Sequence, residues 1–188
     1  MIKIYIDQGH NPKEFNTGAE GNGFYEQDIT YEVGRLLYDM FLQNPNFTPR
    51  LSRPTPDTLK GNSNQGSLTA RVNEANEWGA DIFLSLHTNA ALNENASGSE
   101  ALIYSRQSRV ALGLGEDILA SLNRITGLRN RGVIERPGLY VLKKTKMPAV
   151  LVEMGFITNR YDAELMVYSP NLFAEGIYEG VLDYYNLS

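Results

Sequence analysis

The chain contains no cysteine. That absence excludes disulfides, thiolate metal ligands and a cysteine nucleophile together, and it leaves the compartment open. Histidine is almost as scarce, with His10 and His87 the only two. No apolar run reaches the roughly 18 residues of a membrane span, so no membrane-crossing segment is expected. The first residues, Met1 to Asp7, alternate like a strand and lack the unbroken apolar stretch of a signal peptide. Positive charge is in deficit: 17 Lys and Arg against 22 Asp and Glu give a net charge of −5. Such a chain is a poor electrostatic match for nucleic acid or anionic lipid, and neither is expected as a partner. Internal repeats, low-complexity tracts and a domain linker are also missing. What remains is 188 residues, 42% apolar and 21% charged. A chain of that length buries about 70% of its unfolded surface as one domain.

The apolar pattern gives the elements. Ile2, Ile4 and Ile6 alternate with Lys3 and Tyr5 and predict a strand over 2–7. A polar, glycine-containing stretch runs on to about residue 23. Ile29, Val33, Leu36, Leu37, Met40 and Phe41 then recur at helical spacing, predicting a helix over 26–43 that Asn44-Pro45-Asn46 stops. Residues 47–52 read as a short strand, at an edge because of Pro49. Residues 53–66 read as a long surface loop, and Ser67 as the cap of a helix ending at Gly79. Ile82 to Leu86 is a continuous apolar run, the pattern of a buried parallel strand. Strands are also expected at 100–104, 139–142 and 149–152. Val110, Leu114, Ile118 and Leu122 mark a third helix. Ser169-Pro170 reads as cap plus first-turn proline of a last helix bearing Phe173, Ile177, Val181 and Tyr184. The alternation predicts an α/β fold: one domain, with a mostly parallel sheet flanked by helices on both faces.

In such sheets, sites form beyond the carboxyl ends of the strands. Gly9-His10 follows the first strand, His87-Thr88-Asn89 the buried one, and Glu153 the strand at 149–152. Glu26 lies in the first turn of the helix that starts at the same rim. Two imidazoles and two carboxylates thus converge from four distant segments. Two histidines and a glutamate suit a catalytic divalent metal, which takes three N/O ligands and keeps a position open. One positive charge remains on such a centre, enough to acidify water and polarise a carbonyl. A carboxylate left over, Glu153, can carry a proton from water to a leaving amine. Plainer readings stand beside this one. Each histidine could be a hydrogen-bonded structural group. Glu26 could simply favour a helix dipole, and Glu153 could pair with a neighbouring arginine. Asn89 and Asn159 could be turn residues. Other signatures fail: Gly61 to Ser67 has phosphate-loop spacing without the lysine, and Ser63 lies in no nucleophile elbow.

The chain resembles the zinc-dependent N-acetylmuramoyl-L-alanine amidases of the type 3 class along nearly its whole length. The resemblance rests on Ile6-Asp-Gln-Gly-His10, Glu26, Arg71 through Asn76, Asp81 through Ala90, Arg131-Gly-Val133 and Met147 through Asn159. Asn11 and Thr88 stand where relatives often carry glycine and alanine. By motif, the resemblance implies that His10, Glu26 and His87 hold Zn²⁺ and that Glu153 is catalytic, acting as base and then acid. It implies hydrolysis of the amide between the lactyl group of N-acetylmuramic acid and the L-alanine of the stem peptide. Peptidoglycan or a muropeptide is the implied substrate, with Asn89 and Arg131 as candidate substrate-binding residues. The short stretch from Thr88 to Gly98 leaves no room for a long blocking helix, so an unblocked enzyme is expected. A monomer is expected, with residues 1–188 forming the catalytic domain. It would act outside the cell or in the cell wall. The export route is not visible in the chain, which reads as a trimmed or mature domain or as a phage-type lysin. The alternatives are a zinc peptidase of similar architecture, a non-catalytic wall-binding or regulatory module, and a two-carboxylate glycosidase.

Overall fold

A computed structural model describes residues 1–187. Its frame is a six-stranded sheet of order β4-β1-β5-β8-β6-β7. The strands are β1 (Ile2–Gln8), β4 (Phe47–Leu51), β5 (Ile82–Asn89), β6 (Ser99–Ile103), β7 (Asn130–Glu135) and β8 (Ala149–Phe156). A small hairpin, β2 (Glu20–Gly21) with β3 (Phe24–Tyr25), stands apart from the sheet. The helices are α1 (Glu26–Gln43), α2 (Asn64–Trp78), α3 (Arg109–Thr126), α4 (Tyr140–Lys144), α5 (Arg160–Tyr168) and α6 (Pro170–Tyr185). All neighbouring pairs in the sheet are parallel except β6 with β8. The expected α/β fold is therefore present, but β6 and β7 run against the other four strands. The starts of β6 and β7 thus lie at the rim where β1, β5 and β8 end. Among the described residues no helix is long and apolar enough to cross a membrane.

Period-2 alternation splits each strand between two layers. Ile4, Ile6, Leu84, Leu86, Val150, Val152 and Met154 face α1, α3 and α6 in the larger core. Tyr5, Phe83, Leu102 and Leu151 face α2 and α4 in the smaller one. Asp7, Ser85, His87, Glu100 and Glu153 share the parity of this second set, so the smaller layer carries the polar rim.

Several local readings need correction. Residues 139–142, expected as a strand, belong mainly to α4, since a four-residue apolar run has no readable period. The cap of α2 is Ser63, whose hydroxyl accepts the Gly66 N–H at 3.0 Å; Ser67 lies buried one turn in. The helix ends at Gly79 in the left-handed region, as expected. Ser169 caps α6 without a side-chain bond, although Pro170 opens the helix. β7 and α5 were not anticipated. In α5, Asn159 is more than a turn residue: its side chain caps the helix by accepting the Asp162 N–H. Asp162, fully buried, receives Ser97 Oγ at 2.7 Å, Gly98 N at 2.9 Å and Phe156 N at 3.0 Å. It ties α5 to the end of β8 and to the approach to β6.

Candidate metal centre

His10, Glu26 and His87 come together at the rim, their ligand atoms all within 4.8 Å of one another. Glu26 Oε1 lies 3.2 Å from His10 Nε2 and 3.0 Å from His87 Nδ1. Donors each about 2.0–2.1 Å from a tetrahedral zinc are about 3.3 Å apart, which the two spacings to Glu26 match. The donor chemistry fits as well: two imidazoles and one carboxylate, with no thiolate.

Two of the donors are aimed by partners outside the centre. His10 Nδ1 lies 3.2 Å from the Asn16 carbonyl, which can only accept, so Nδ1 donates there while Nε2 faces Glu26. Glu26 is buried; its Oε2 accepts the Ala19 N–H at 2.8 Å, and its Oε1 accepts the Thr88 N–H at 2.9 Å. The ladder between β5 and β8 shifts register between His87 and Asn89, beside that Thr88 bond. Burial alone would raise the Glu26 carboxyl. Hydrogen bonds from His10 and His87, and their charge, outweigh that and hold it well below the usual carboxylate range. Two glycines permit the close approach. A Cβ on Gly9 would meet the His87 ring at 2.6 Å, and one on Gly18 would meet Glu26 Oε2 at 2.7 Å.

The backbone of His10 has φ 68°, the left-handed region that costs a non-glycine residue of order 1–3 kcal/mol. Two buried arginines over-determine it. Arg71 Nη2 and Arg53 Nη1 both donate to the His10 carbonyl. Arg71 Nη1 also donates to Asp7 Oδ1 and to the Gln8 carbonyl, and Arg53 Nη1 to the Gln27 carbonyl. Thr30 Oγ1 donates to the Gly9 carbonyl at 2.7 Å. Asp7 would be raised by burial, but the Arg71 cation beside it prevails and lowers it. Burial and the Arg71 charge push Arg53 down to about 10. This latch was not anticipated, although Arg71 stands in one of the resembling segments.

Glu153 occupies the next strand. It sits opposite His87 on one side and Glu100 on the other. Its Oε2 is buried and has no hydrogen-bond partner among the described residues. Burial, then the charges of Glu26 and Glu100, push its carboxyl up to about 8. An arginine-anchored strand end is thus not what is found: the nearby arginine, Arg131, bonds Glu100 Oε2 through Nε at 3.0 Å.

The sequence model of the N-acetylmuramoyl-L-alanine amidases matches residues 4–183. The chain belongs to this family. The N-acetylmuramoyl-L-alanine amidase CwlM of Bacillus licheniformis is 35% identical over all of this chain and 70% of its own length. The amidase LytC of Bacillus subtilis is also 35% identical over 97% of this chain, which spans only 35% of LytC. Among solved structures, an N-acetylmuramoyl-L-alanine amidase of Clostridium difficile superposes with a TM-score of 0.88 at 26% identity, covering 98% of this chain and 97% of that one. Membership in this family makes the chain a peptidoglycan amidase, and the rim just described is where its chemistry can lie.

Asn89 and Arg131, the candidate substrate-binding residues, do not touch the three donors. Both converge on Glu100, whose Oε1 accepts Asn89 Nδ2 at 2.8 Å. The Arg131 guanidinium also lies 4.9 Å from the centre of the Phe156 ring. Glu100 does not follow a strand's carboxyl end, where the sequence points to a site: β6 is reversed and presents its start.

Proposed function

We propose that this protein hydrolyses the amide between the lactyl group of N-acetylmuramic acid and the L-alanine of the stem peptide. His10, Glu26 and His87 hold zinc, and Glu153 carries the proton. The observation behind this reading is the convergence of three ligand-type donors with a half-buried carboxylate on the adjacent strand, whose Oε2 is buried and unpartnered among the described residues. Zinc, when bound, acidifies a water and polarises the scissile carbonyl.

Glu153 is suited to accept the attacking water's proton and return it to the leaving nitrogen. Its elevated proton affinity makes it a stronger base than an ordinary carboxylate, and a nearby cation brings that affinity closer to neutrality. Direct delivery of the proton requires the leaving nitrogen to lie near β8. The stem peptide then continues over the starts of β6 and β7, toward Asn89 and Arg131. Arg131, steadied by Glu100 and Phe156, offers its guanidinium to a carboxylate of the peptide. Arg53 and Arg71 act one step back, holding the His10 backbone and hence its ring. Residues 1–188 serve as the catalytic domain, working as a monomer on the cell wall.

Digestion of purified peptidoglycan followed by mass analysis tests this reading. New alanine amino groups on intact sugar strands are expected; new reducing ends instead would assign a glycosidase. Metal analysis should find one zinc per chain, and His87→Ala should lose it, since two donors remain. Full zinc retention by His87→Ala would remove the proposed centre.

A further inference from the structure

The sheet order gives the substrate a direction. If the leaving amine lies on the β8 side, the acyl side of the bond points the other way, across β1. There the loop after β1 docks on the first turn of α2. Asn16 N donates to Asn64 Oδ1 at 2.6 Å, and Asn16 Nδ2 donates to Ser67 Oγ at 2.9 Å. A pocket of about 110 Å³ at His10 and His87 shares Asn16 and Leu68 with a wider cleft of about 490 Å³ between this loop and α2.

We propose that this cleft binds the N-acetylated sugar strand on the carbonyl side of the scissile amide; the inference rests on the amidase reading above. Its lining is amide-rich and carries no cation: Asn16, Thr17, Asn64 and Gln65, with Phe15 and Leu68. Amides and hydroxyls both donate and accept, which matches sugar hydroxyl and acetamido groups. Phe15 adds a ring on which a sugar face can rest. An anionic, phosphate-rich wall polymer would call for Arg or Lys, and the residues lining the cleft offer none, only the carboxylate of Glu14. The loop is built rather than slack. His10, Glu14 and Asn16 all have positive φ, and such conformations collect at functional sites. Asn16 and Asn64 fix the shape of the cleft. Half-buried Phe15 and exposed Gln65 remain to meet a ligand.

The test has a binding arm and a kinetic arm. Chitotetraose, a peptide-free strand of N-acetylglucosamine, is titrated into zinc-loaded protein while amide shifts are followed. Shifts at residues 14–17 and 64–68 are expected, with binding weakened about tenfold in Phe15→Ala and Gln65→Ala, the size of one net hydrogen bond or stacking contact. In kinetics, substrates with one and two disaccharide units are compared. The longer one should be cleaved with the higher kcat/KM, and that gain should vanish in both variants. Shifts confined to other surfaces, a gain that survives both variants, or a phosphate-rich polymer competing through the same residues would overturn the assignment. Binding is read without cleavage. Chitotetraose binding without release of alanine amines from either substrate would therefore count against the amidase reading and not against the cleft.

Discussion

The two faces of the sheet are built on different principles. Under α1, α3 and α6 the interior is mainly apolar: Val33, Leu37, Leu114, Ile118, Phe173 and Ile177 are all fully buried, with single polar groups such as Gln8, Thr30 and Ser121 among them. Under α2 and α4 a thinner apolar layer gives way toward the rim to buried charge, Asp7, Arg71 and Glu100, which Glu26 joins from the start of α1. The first face gains stability from area removed from water, which is non-directional and tolerates exchange of similar side chains. The second gains direction. Each buried charge there is held by several hydrogen bonds, and together these fix where His10, His87 and Glu153 stand. A protein built this way should separate stability from function according to the face that is altered.

The largest effect belongs to the polar face. Glu153→Gln preserves shape but cannot accept a proton, so turnover should fall by about 10²–10⁴-fold. Zinc content and fold should stay at wild-type levels. Activity within a few-fold of wild type would remove Glu153 from the mechanism.

One substitution on each face sharpens the contrast. Arg71→Met strands Asp7 as an unpaired buried carboxylate and frees the His10 carbonyl, and should cost about 3–5 kcal/mol. Leu114→Ala on the apolar face should cost a comparable amount, about 2–5 kcal/mol, through transfer and cavity terms. Denaturant titration measures both. Only Arg71→Met should also weaken zinc binding by the folded protein, read by competition with a coloured chelator. Equal zinc affinity in the two variants would show that the arginine latch serves stability alone.

How well the sequence could be read follows the same division. The apolar face has clear periods, so β1, α1, β5, α3, β8 and α6 were legible from spacing alone. Two elements are hidden, although Val133 and Met166 belong to the larger apolar core. β7 has a single buried residue, Val133, among Asn130, Arg131 and Gly132, and α5 buries only Asp162, Ala163 and Met166. Too few apolar positions remain in either to set a period. His10, Glu26, His87 and Glu153 stand out in the sequence because they follow or open strongly patterned elements. Glu100 was not, since strand direction is a tertiary property that β6 alone does not encode. Likewise, nothing local distinguishes Arg71 or Arg53 from surface arginines; their burial is apparent only once the loop after β1 folds over them.

A smaller effect is expected where the polar face meets solvent. Arg131→Ala removes a guanidinium that is partly exposed and already paired with Glu100, so kcat/KM on muropeptide should fall about tenfold, chiefly through KM. Zinc content should not change. A fall in kcat with KM unchanged would place Arg131 at the reacting bond and not along the peptide.

The subtlest comparison is thermal and uses metal-free protein. Glu153 titrates at about 8 in the fold against an ordinary value of 4.5. Between those values the native state keeps a proton that the unfolded chain has released. Stability contributed by this group is therefore present below about 4.5 and is lost as pH rises toward about 8. Glutamine has no such proton. The melting temperature of metal-free Glu153→Gln should match wild type near pH 4, rise above it through neutrality and exceed it most near pH 9. Zinc should shrink the difference, because a cation beside the carboxylate repays its burial. Parallel melting curves across the whole range would mean that the Glu153 carboxylate is well solvated. Its proton affinity would then be ordinary, and the polar face would lack the one strained charge on which the proposed chemistry depends.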